Sequence, residues 1–143
     1  TNMKNLLKKV RGDKKGFTLA ELLVVVAIIG ILVAVSVPLF TAQLGKARKA
    51  TNEANLRAAK VAAVADYMTN DKGAKVEIKY SYDIAAGTVT TADTDQEKKM
   101  VEANEVKKIS DATTTSTYKH IYVDVNGTDT ENAVVTLYAV TTD

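Results

Sequence analysis

The sequence predicts an α+β protein in which one long N-terminal helix packs on a small C-terminal antiparallel sheet. Three observations predict it: an apolar run at residues 17–37, an Ala-rich continuation at 39–68, and alternating polar and apolar segments further on. Apolar residues that recur every three or four positions indicate a helix, and strict alternation indicates a half-buried strand. We therefore expect a polar leader (1–16), a hydrophobic helix that spans the membrane (17–40) and a soluble domain (41–143).

The leader is strongly basic. It carries six lysine and arginine residues against Asp13 alone, a net charge of +5, whereas the rest of the chain has 13 basic and 16 acidic side chains, a net of −3. Positive charge beside an apolar segment favours the cytoplasmic side of a membrane, so we expect the N-terminus to stay there. Since the basic excess belongs to the leader, the remaining chain gives little reason to expect nucleic-acid binding.

The apolar run is long enough to cross a bilayer. A helix of 21 residues is about 31 Å long at 1.5 Å per residue, and the hydrocarbon core of a bilayer is about 30 Å thick. Glu21 is the one ionisable residue in the run. A carboxylate within a membrane segment is costly and is usually functional and paired with a cation. The alternative is a tolerated charge near a helix end that reaches the membrane interface.

Gly30 and Pro38 are the weak points of this helix. Relative to alanine, glycine costs a helix interior roughly 1 kcal/mol and proline about 3 kcal/mol. A helix that continues through Pro38 should kink or loosen near Ala34, because proline has no N–H for the Ala34 carbonyl.

The helix is expected to continue through residues 39–68 as an amphipathic segment and to stop before Gly73. Small and apolar residues at spacings near three and four predict one face that packs on the soluble domain. These residues are Leu44, Ala47, Ala54, Ala58, Val61, Ala65 and Met68, with Ala50 or Thr51 in the one gap. Lys46, Lys49, Glu53, Arg57 and Lys60 lie on another side.

Three strands are expected in the C-terminal half. Residues 76–84 alternate strictly, and residues 118–125 and 133–140 flank Asn126-Gly127, the strongest short hairpin signal. Residues 85–94 are expected to form a surface loop and 112–117 a polar connector.

A short helix is expected between the loop and the connector. Thr94 followed by Glu97 fits a capping box, in which both side chains bond to the first turn. Four apolar residues would then face inward on that helix: Met100, Ala103, Val106 and Ile109.

No residue pattern points to catalysis, a metal site or a cofactor, and we do not expect an enzyme. The chain has no cysteine, which excludes disulfides and thiolate chemistry. His120 is the one histidine and is expected to be a sheet or surface residue. The segment Asp124–Asp129 departs from the calcium-loop pattern, so a hairpin loop explains it better. Asn126-Gly127-Thr128 also matches a glycosylation sequon, a short pattern that often arises by chance.

The N-terminal segment resembles a type IV prepilin, which has a class III leader peptide. The resemblance rests on Gly16-Phe17-Thr18-Leu19-Ala20-Glu21-Leu22-Leu23, on Ala27-Ile28-Ile29-Gly30-Ile31-Leu32 and on Pro38. It covers about residues 14–40. Ala20 stands where a larger aliphatic residue is common in the family, and the C-terminal disulfide of many members cannot form here.

The resemblance implies specific roles for several residues. A prepilin peptidase would cleave between Gly16 and Phe17 on the cytoplasmic side and methylate the new amino group of Phe17. Glu21 would pair with the Phe17 amino group of a neighbouring subunit during assembly. Gly30 and Pro38 would let the helix stretch or melt.

The resemblance also implies the pilin fold and a structural function. The precursor would be anchored in the cytoplasmic membrane. It would then leave the membrane through a pilus assembly platform and join identical subunits in an extracellular helical filament. Such filaments serve adhesion, surface movement, biofilm formation or DNA uptake. Two alternatives stay open: a pseudopilin of a secretion or competence system, and a membrane-anchored binding domain that never polymerises.

Overall fold

The computed structural model describes residues 2–5, 18–70, 72–73, 75–129 and 132–141. The cleavage junction predicted at Gly16 and Phe17 lies outside the described residues. The chain divides into two compact units, Thr1–Thr41 and Ala42–Asp143. In the first unit, residues 2–5 are helical and a long helix begins at residue 19.

The long helix, α1, is Leu19–Thr69, with 51 residues. It continues through Pro38, so the prediction of one helix across both sequence segments is confirmed. The kink or loosening near Ala34 stays a prediction. In the second unit the helix packs on a small antiparallel sheet, which confirms the α+β fold.

The sheet has five strands. They are β1 (Glu77–Asp83), β2 (Thr88–Thr91), β3 (Asn104–Val106), β4 (His120–Asn126) and β5 (Val134–Val140). Their order across the sheet is β2-β1-β4-β5-β3, and every neighbouring pair is antiparallel. The three expected strands are confirmed as β1, β4 and β5, and the Asn126-Gly127 signal correctly marks the β4–β5 connection.

The expectation of a surface loop at 85–94 is wrong, because β2 forms a hairpin with β1. Asp83 makes the turn: its Oδ1 accepts hydrogen bonds from the backbone N–H groups of Ala85 and Ala86 at 2.9 and 3.1 Å. Gly87 closes the turn at a φ of +71°, a conformation that favours glycine. An aspartate at the start and a glycine at the end are typical of a turn, so the sequence could have indicated this hairpin.

The short helix α2 is Thr94–Glu102. Its capping box is Asp93 with Gln96, one residue earlier than the expected Thr94 and Glu97. Asp93 has the extended backbone that an N-cap requires, whereas Thr94 is already helical. The helix ends before Ala103, so Val106 lies in β3 and Ile109 in the 3₁₀ turn Ile109–Asp111. Both still pack against the core, as expected, but from non-helical positions.

The expected core-facing side of α1 is wrong. Val61 is 69% and Met68 79% exposed, and Ala47, Ala54, Ala58 and Ala65 are exposed as well. The buried residues form the opposite stripe: Asn52, Leu56, Ala59, Ala63 and Tyr67. Both stripes have helical spacing. The buried stripe contains the polar residue Asn52, so the sequence pattern favoured the other stripe.

The main core lies between this stripe and one face of the sheet. The sheet contributes alternate residues of β1, β4 and β5, namely Ile78, Tyr80, Tyr82, Ile121, Val123, Val125, Leu137 and Ala139. Tyr122 alternates with Ile121 and Val123 and so points to the opposite face, yet it is also buried. Met100 of α2 is buried outside the main core, which indicates that α2 covers this outer face.

Asn52 fixes the connector at 112–117 to the helix, a role that the sequence pattern did not reveal. Its side-chain amide donates to the carbonyls of Thr113 and Ser116 at 2.8 and 2.9 Å. Its Oδ1 accepts the backbone N–H of Tyr118 at 2.9 Å. One turn earlier, Arg48 donates to the Thr115 carbonyl at 2.8 Å. A fully buried polar side chain is tolerated because its hydrogen bonds are satisfied.

Candidate functional site

The apolar helix begins with a capping box formed by Thr18 and Glu21. The backbone N–H of Thr18 donates to Glu21 Oε2 at 3.1 Å, and the backbone N–H of Glu21 donates to Thr18 Oγ1 at 3.2 Å. This arrangement satisfies two N–H groups that a helix start otherwise leaves free. The Thr-x-x-Glu pattern at 18–21 was visible in the sequence, but sequence reasoning assigned a capping box at Thr94 instead.

The capping box places the Glu21 carboxylate at the very start of the helix. Within the described part of the chain, Glu21 takes part in no salt bridge. It is exposed. The pairing of Glu21 with the Phe17 amino group of a neighbouring subunit stays a prediction.

The helix beyond Glu21 presents apolar side chains in every direction. The large aliphatic residues between Leu19 and Leu39, together with Phe40, are all at least half exposed. An 18-residue stretch of this helix has a mean hydropathy of 3.0, and none of that stretch is buried within the chain. By length and composition, α1 can cross a membrane.

The hydroxyl groups of this segment bond to its own backbone. Ser36 donates to the Leu32 carbonyl at 2.6 Å, and Thr41 donates to the Val37 carbonyl at 2.9 Å. An apolar environment demands such internal pairing, because an unsatisfied polar group in lipid is costly. The segment is therefore compatible with lipid at these positions as well.

Apart from its chain neighbours and the adjacent helix backbone, no described atom lies within 4 Å of the place where a Cβ of Gly30 would be. The single chain thus gives no steric reason for a glycine there. The flexibility roles assigned to Gly30 and Pro38 stay predictions.

Residues 11–37 match the family model described as the prokaryotic N-terminal methylation motif. This N-terminal motif supports a type IV pilin-like prepilin. The motif supports processing by a prepilin peptidase and anchoring of the precursor in a membrane. The comparisons with curated proteins and with solved structures produced no match.

The pilin-like match contains the residues that the sequence singled out. Gly16, Phe17, Glu21 and Gly30 lie inside the matched segment, and Pro38 follows it directly. The structure places Glu21 at the helix start and Gly30 and Pro38 within α1. Cleavage at Gly16, methylation of Phe17 and pairing of Glu21 remain predictions.

Other sequence candidates have ordinary surroundings. His120 is exposed at the start of β4, as expected, and stacks on Tyr122 with ring centroids 6.5 Å apart. Asn126 ends β4, and its Oδ1 accepts the backbone N–H of Thr128 at 3.0 Å. In the described part of the chain, no three His, Asp or Glu side chains are grouped as metal ligands would be.

Asp124 is a partly buried carboxyl group with a raised pKa. It lies on the outer face of β4, directly across from Lys79 of β1 and next to Glu77. Its Oδ1 is buried and has no hydrogen-bond partner among the described residues. Burial, and after it the neighbouring Glu77, raise the pKa of Asp124 from 3.8 to about 6 against the opposing effect of Lys79.

This raised pKa predicts a pH dependence of stability. The folded state holds the Asp124 proton more tightly than the unfolded state, so its contribution is largest below about pH 4 and is lost as the pH rises to about 6. Replacing Asp124 by Asn should remove that loss. Thermal unfolding of both proteins between pH 4 and pH 8 tests this. The variant should gain stability relative to the original as pH rises through the window, and a constant difference would contradict the assignment.

Proposed function

We propose that this chain is a structural subunit of a type IV pilus. Prepilin peptidase cleaves it after Gly16 and methylates Phe17, and the mature chain polymerises into an extracellular filament for adhesion, motility, biofilm formation or DNA uptake. The observation that carries the proposal is the apolar helix, which is exposed on all sides and begins two residues after the predicted junction.

An all-round apolar helix suits two environments in turn. It is soluble in lipid before assembly and can pack among identical helices afterwards. Because both environments exclude water, the transfer between them carries no large hydrophobic penalty. The helix of a membrane-anchored domain that never polymerises has to be compatible with lipid alone.

Glu21 supplies the register for assembly in this proposal. Cleavage creates a positive amino group on Phe17, and the carboxylate of a neighbouring subunit binds it in the apolar filament core. A buried carboxylate without a partner is strongly unfavourable, so subunits in the wrong register are rejected. The capping box holds the carboxylate at the helix start, which reduces the freedom that pairing must remove.

Replacing Gly16 by leucine tests the proposal. A bulky side chain at the junction should block the peptidase, so sheared cells should yield no filaments and the chain should stay in the membrane with its leader. Gly16→Ala is the matched control and should still be cleaved, because a methyl group crowds the junction far less.

Electron microscopy of the sheared fraction, with antibody to residues 41–143, provides the readout. Long thin labelled filaments from the unmodified chain would support a pilus subunit. Labelled protein confined to the membrane, while the assembly machinery is active, would favour the pseudopilin or the anchored domain.

A further inference from the structure

The part of α1 between Glu21 and Glu53 carries three positive charges and no negative one. The charges belong to Lys46, Arg48 and Lys49, which lie on consecutive turns soon after the apolar segment ends. Lys46 is exposed, and the other two are partly exposed. We name these three residues the basic collar.

The two lysines of the basic collar have no partner within the part of the chain that the structure describes. Neither takes part in a salt bridge or a side-chain hydrogen bond there. Arg48, in contrast, donates to the Thr115 carbonyl at 2.8 Å, and Arg57 further along α1 pairs with Glu53 at 3.5 Å. The soluble domain therefore uses Arg48 and leaves the two ammonium groups available.

The position of the basic collar opposes the usual distribution of charge around a membrane helix. Lysine and arginine near the end of a span favour the cytoplasmic side. The collar follows the apolar segment, so it lies on the opposite side of the membrane from the more strongly charged leader. Positive charge there weakens the expected orientation and needs another physical reason, which a negatively charged surface supplies.

The spacing along α1 places the collar at the level of the lipid headgroups. A bilayer has a hydrocarbon core of about 30 Å and a total thickness of about 40–45 Å, so each headgroup layer is roughly 5–8 Å thick. At 1.5 Å per residue, Lys46 and Lys49 lie about 9 and 14 Å beyond Phe40, the end of the apolar segment.

The direction of the lysine side chains brings them closer to the membrane. Every Cα–Cβ bond in a helix leans toward the helix N-terminus, which for α1 is the side of the apolar segment. A long lysine side chain can extend further along an apolar surface and place its ammonium group among polar groups. Both ammonium groups can therefore reach the depth of the phosphates.

We propose that the basic collar binds the headgroups of anionic phospholipids on the non-cytoplasmic side of the membrane before assembly. The inference rests on the membrane anchoring that the proposed function includes, and it adds a partner for the precursor. Charge complementarity at the depth of the phosphates identifies this partner. The bound headgroups hold the start of the soluble domain at the membrane surface, and they are released when the subunit leaves the membrane.

Short-range fluorescence quenching tests this contact in the full chain. The chain has no cysteine, so Gln43→Cys, at an exposed position just before the collar, carries a single dye. The labelled chain is reconstituted in vesicles of phosphatidylcholine mixed with phosphatidylglycerol, in which a small fraction of one lipid or the other carries a spin label near its headgroup. Spin labels quench only nearby dyes, so lipids around the leader, across the bilayer, do not contribute.

We expect spin-labelled phosphatidylglycerol to quench the dye several-fold more than the same amount of spin-labelled phosphatidylcholine. A basic residue near an anionic surface contributes about fivefold in affinity. Lys46→Gln combined with Lys49→Gln should therefore bring the two lipids close to equal. High salt should reduce the preference as well, because it screens exposed charges.

The matched control is Lys60→Gln combined with Lys72→Gln, which removes the same charge at exposed positions further from the membrane and should keep the preference. Equal quenching by the two lipids in the unmodified chain, or a preference that survives the change of both collar lysines, would overturn the headgroup contact. Absence of quenching by either lipid would overturn it too, because Gln43 would then lie away from the membrane surface.

Flotation of the chain with the vesicles separates this inference from the function on which it rests. A chain that floats with the vesicles but shows no lipid preference would lack the headgroup contact and keep its membrane anchor. A chain that does not float would overturn the anchoring itself, and the headgroup contact with it.

Discussion

Changing Glu21 to glutamine should abolish filaments while membrane insertion stays intact or improves. Removing a charge from an apolar segment favours the membrane state. In the proposed filament, the same change would leave the Phe17 amino group of each neighbour without its counter-charge. Removing one partner of a buried ion pair costs about 3–5 kcal/mol, and the loss recurs at every subunit.

The capping box makes this experiment more specific. Glutamine can replace glutamate in a capping box, so Glu21→Gln removes the charge and keeps the cap. Thr18→Val removes the Thr18 hydroxyl that accepts the Glu21 N–H and keeps the charge. If Glu21 acts as an ionic partner, Glu21→Gln and Glu21→Ala should both lose sheared filaments and Thr18→Val should retain most of them.

The opposite pattern would contradict the pairing role. Normal filament yield from Glu21→Gln, together with loss from Thr18→Val, would show that the cap alone is needed. Membrane content of each variant, measured by immunoblot before shearing, separates assembly from insertion.

Replacing Asn52 by alanine should cost the soluble domain about 3 kcal/mol or more. The change leaves one buried N–H and two partly buried carbonyls of the 113–118 segment without their partner, and each unsatisfied buried group costs about 1–3 kcal/mol. This is a large fraction of the total stability of a small domain, which is about 5–15 kcal/mol. Urea unfolding of a fragment of residues 41–143, which we expect to fold alone, measures the loss.

Asn55→Ala is the matched control. It makes the same chemical change one turn away at a partly exposed position, so it should cost less than about 1 kcal/mol. Equal losses from the two variants would mean that the Asn52 hydrogen bonds contribute little.

The long helix and the three longest strands could be predicted because their patterns are long and strongly periodic. Strands β2 and β3 could not, because four and three residues carry too little periodicity. The buried side of α1 was mispredicted for a physical reason. Asn52 is polar by type but becomes a good core residue once the 113–118 segment satisfies it, and only the tertiary structure reveals that partner.

The candidate-site residues could be named from the sequence alone, and their roles stay predictions. Gly16, Phe17 and Glu21 belong to a local motif, which can be recognised without tertiary contacts. The bond between Glu21 and Thr18 is equally local and could have been predicted from the Thr-x-x-Glu spacing. The edges of the sheet could not be predicted from the sequence, because only the order of the strands makes β2 and β3 the two outermost strands.

Mass spectrometry of sheared filaments tests the processing and assembly of this chain together. We expect that the chain in the filament begins at Phe17, carries one added methyl group on its amino terminus and lacks residues 1–16. Filaments that contain the intact leader, or a sheared fraction that lacks the chain altogether while the assembly machinery is active, would contradict it.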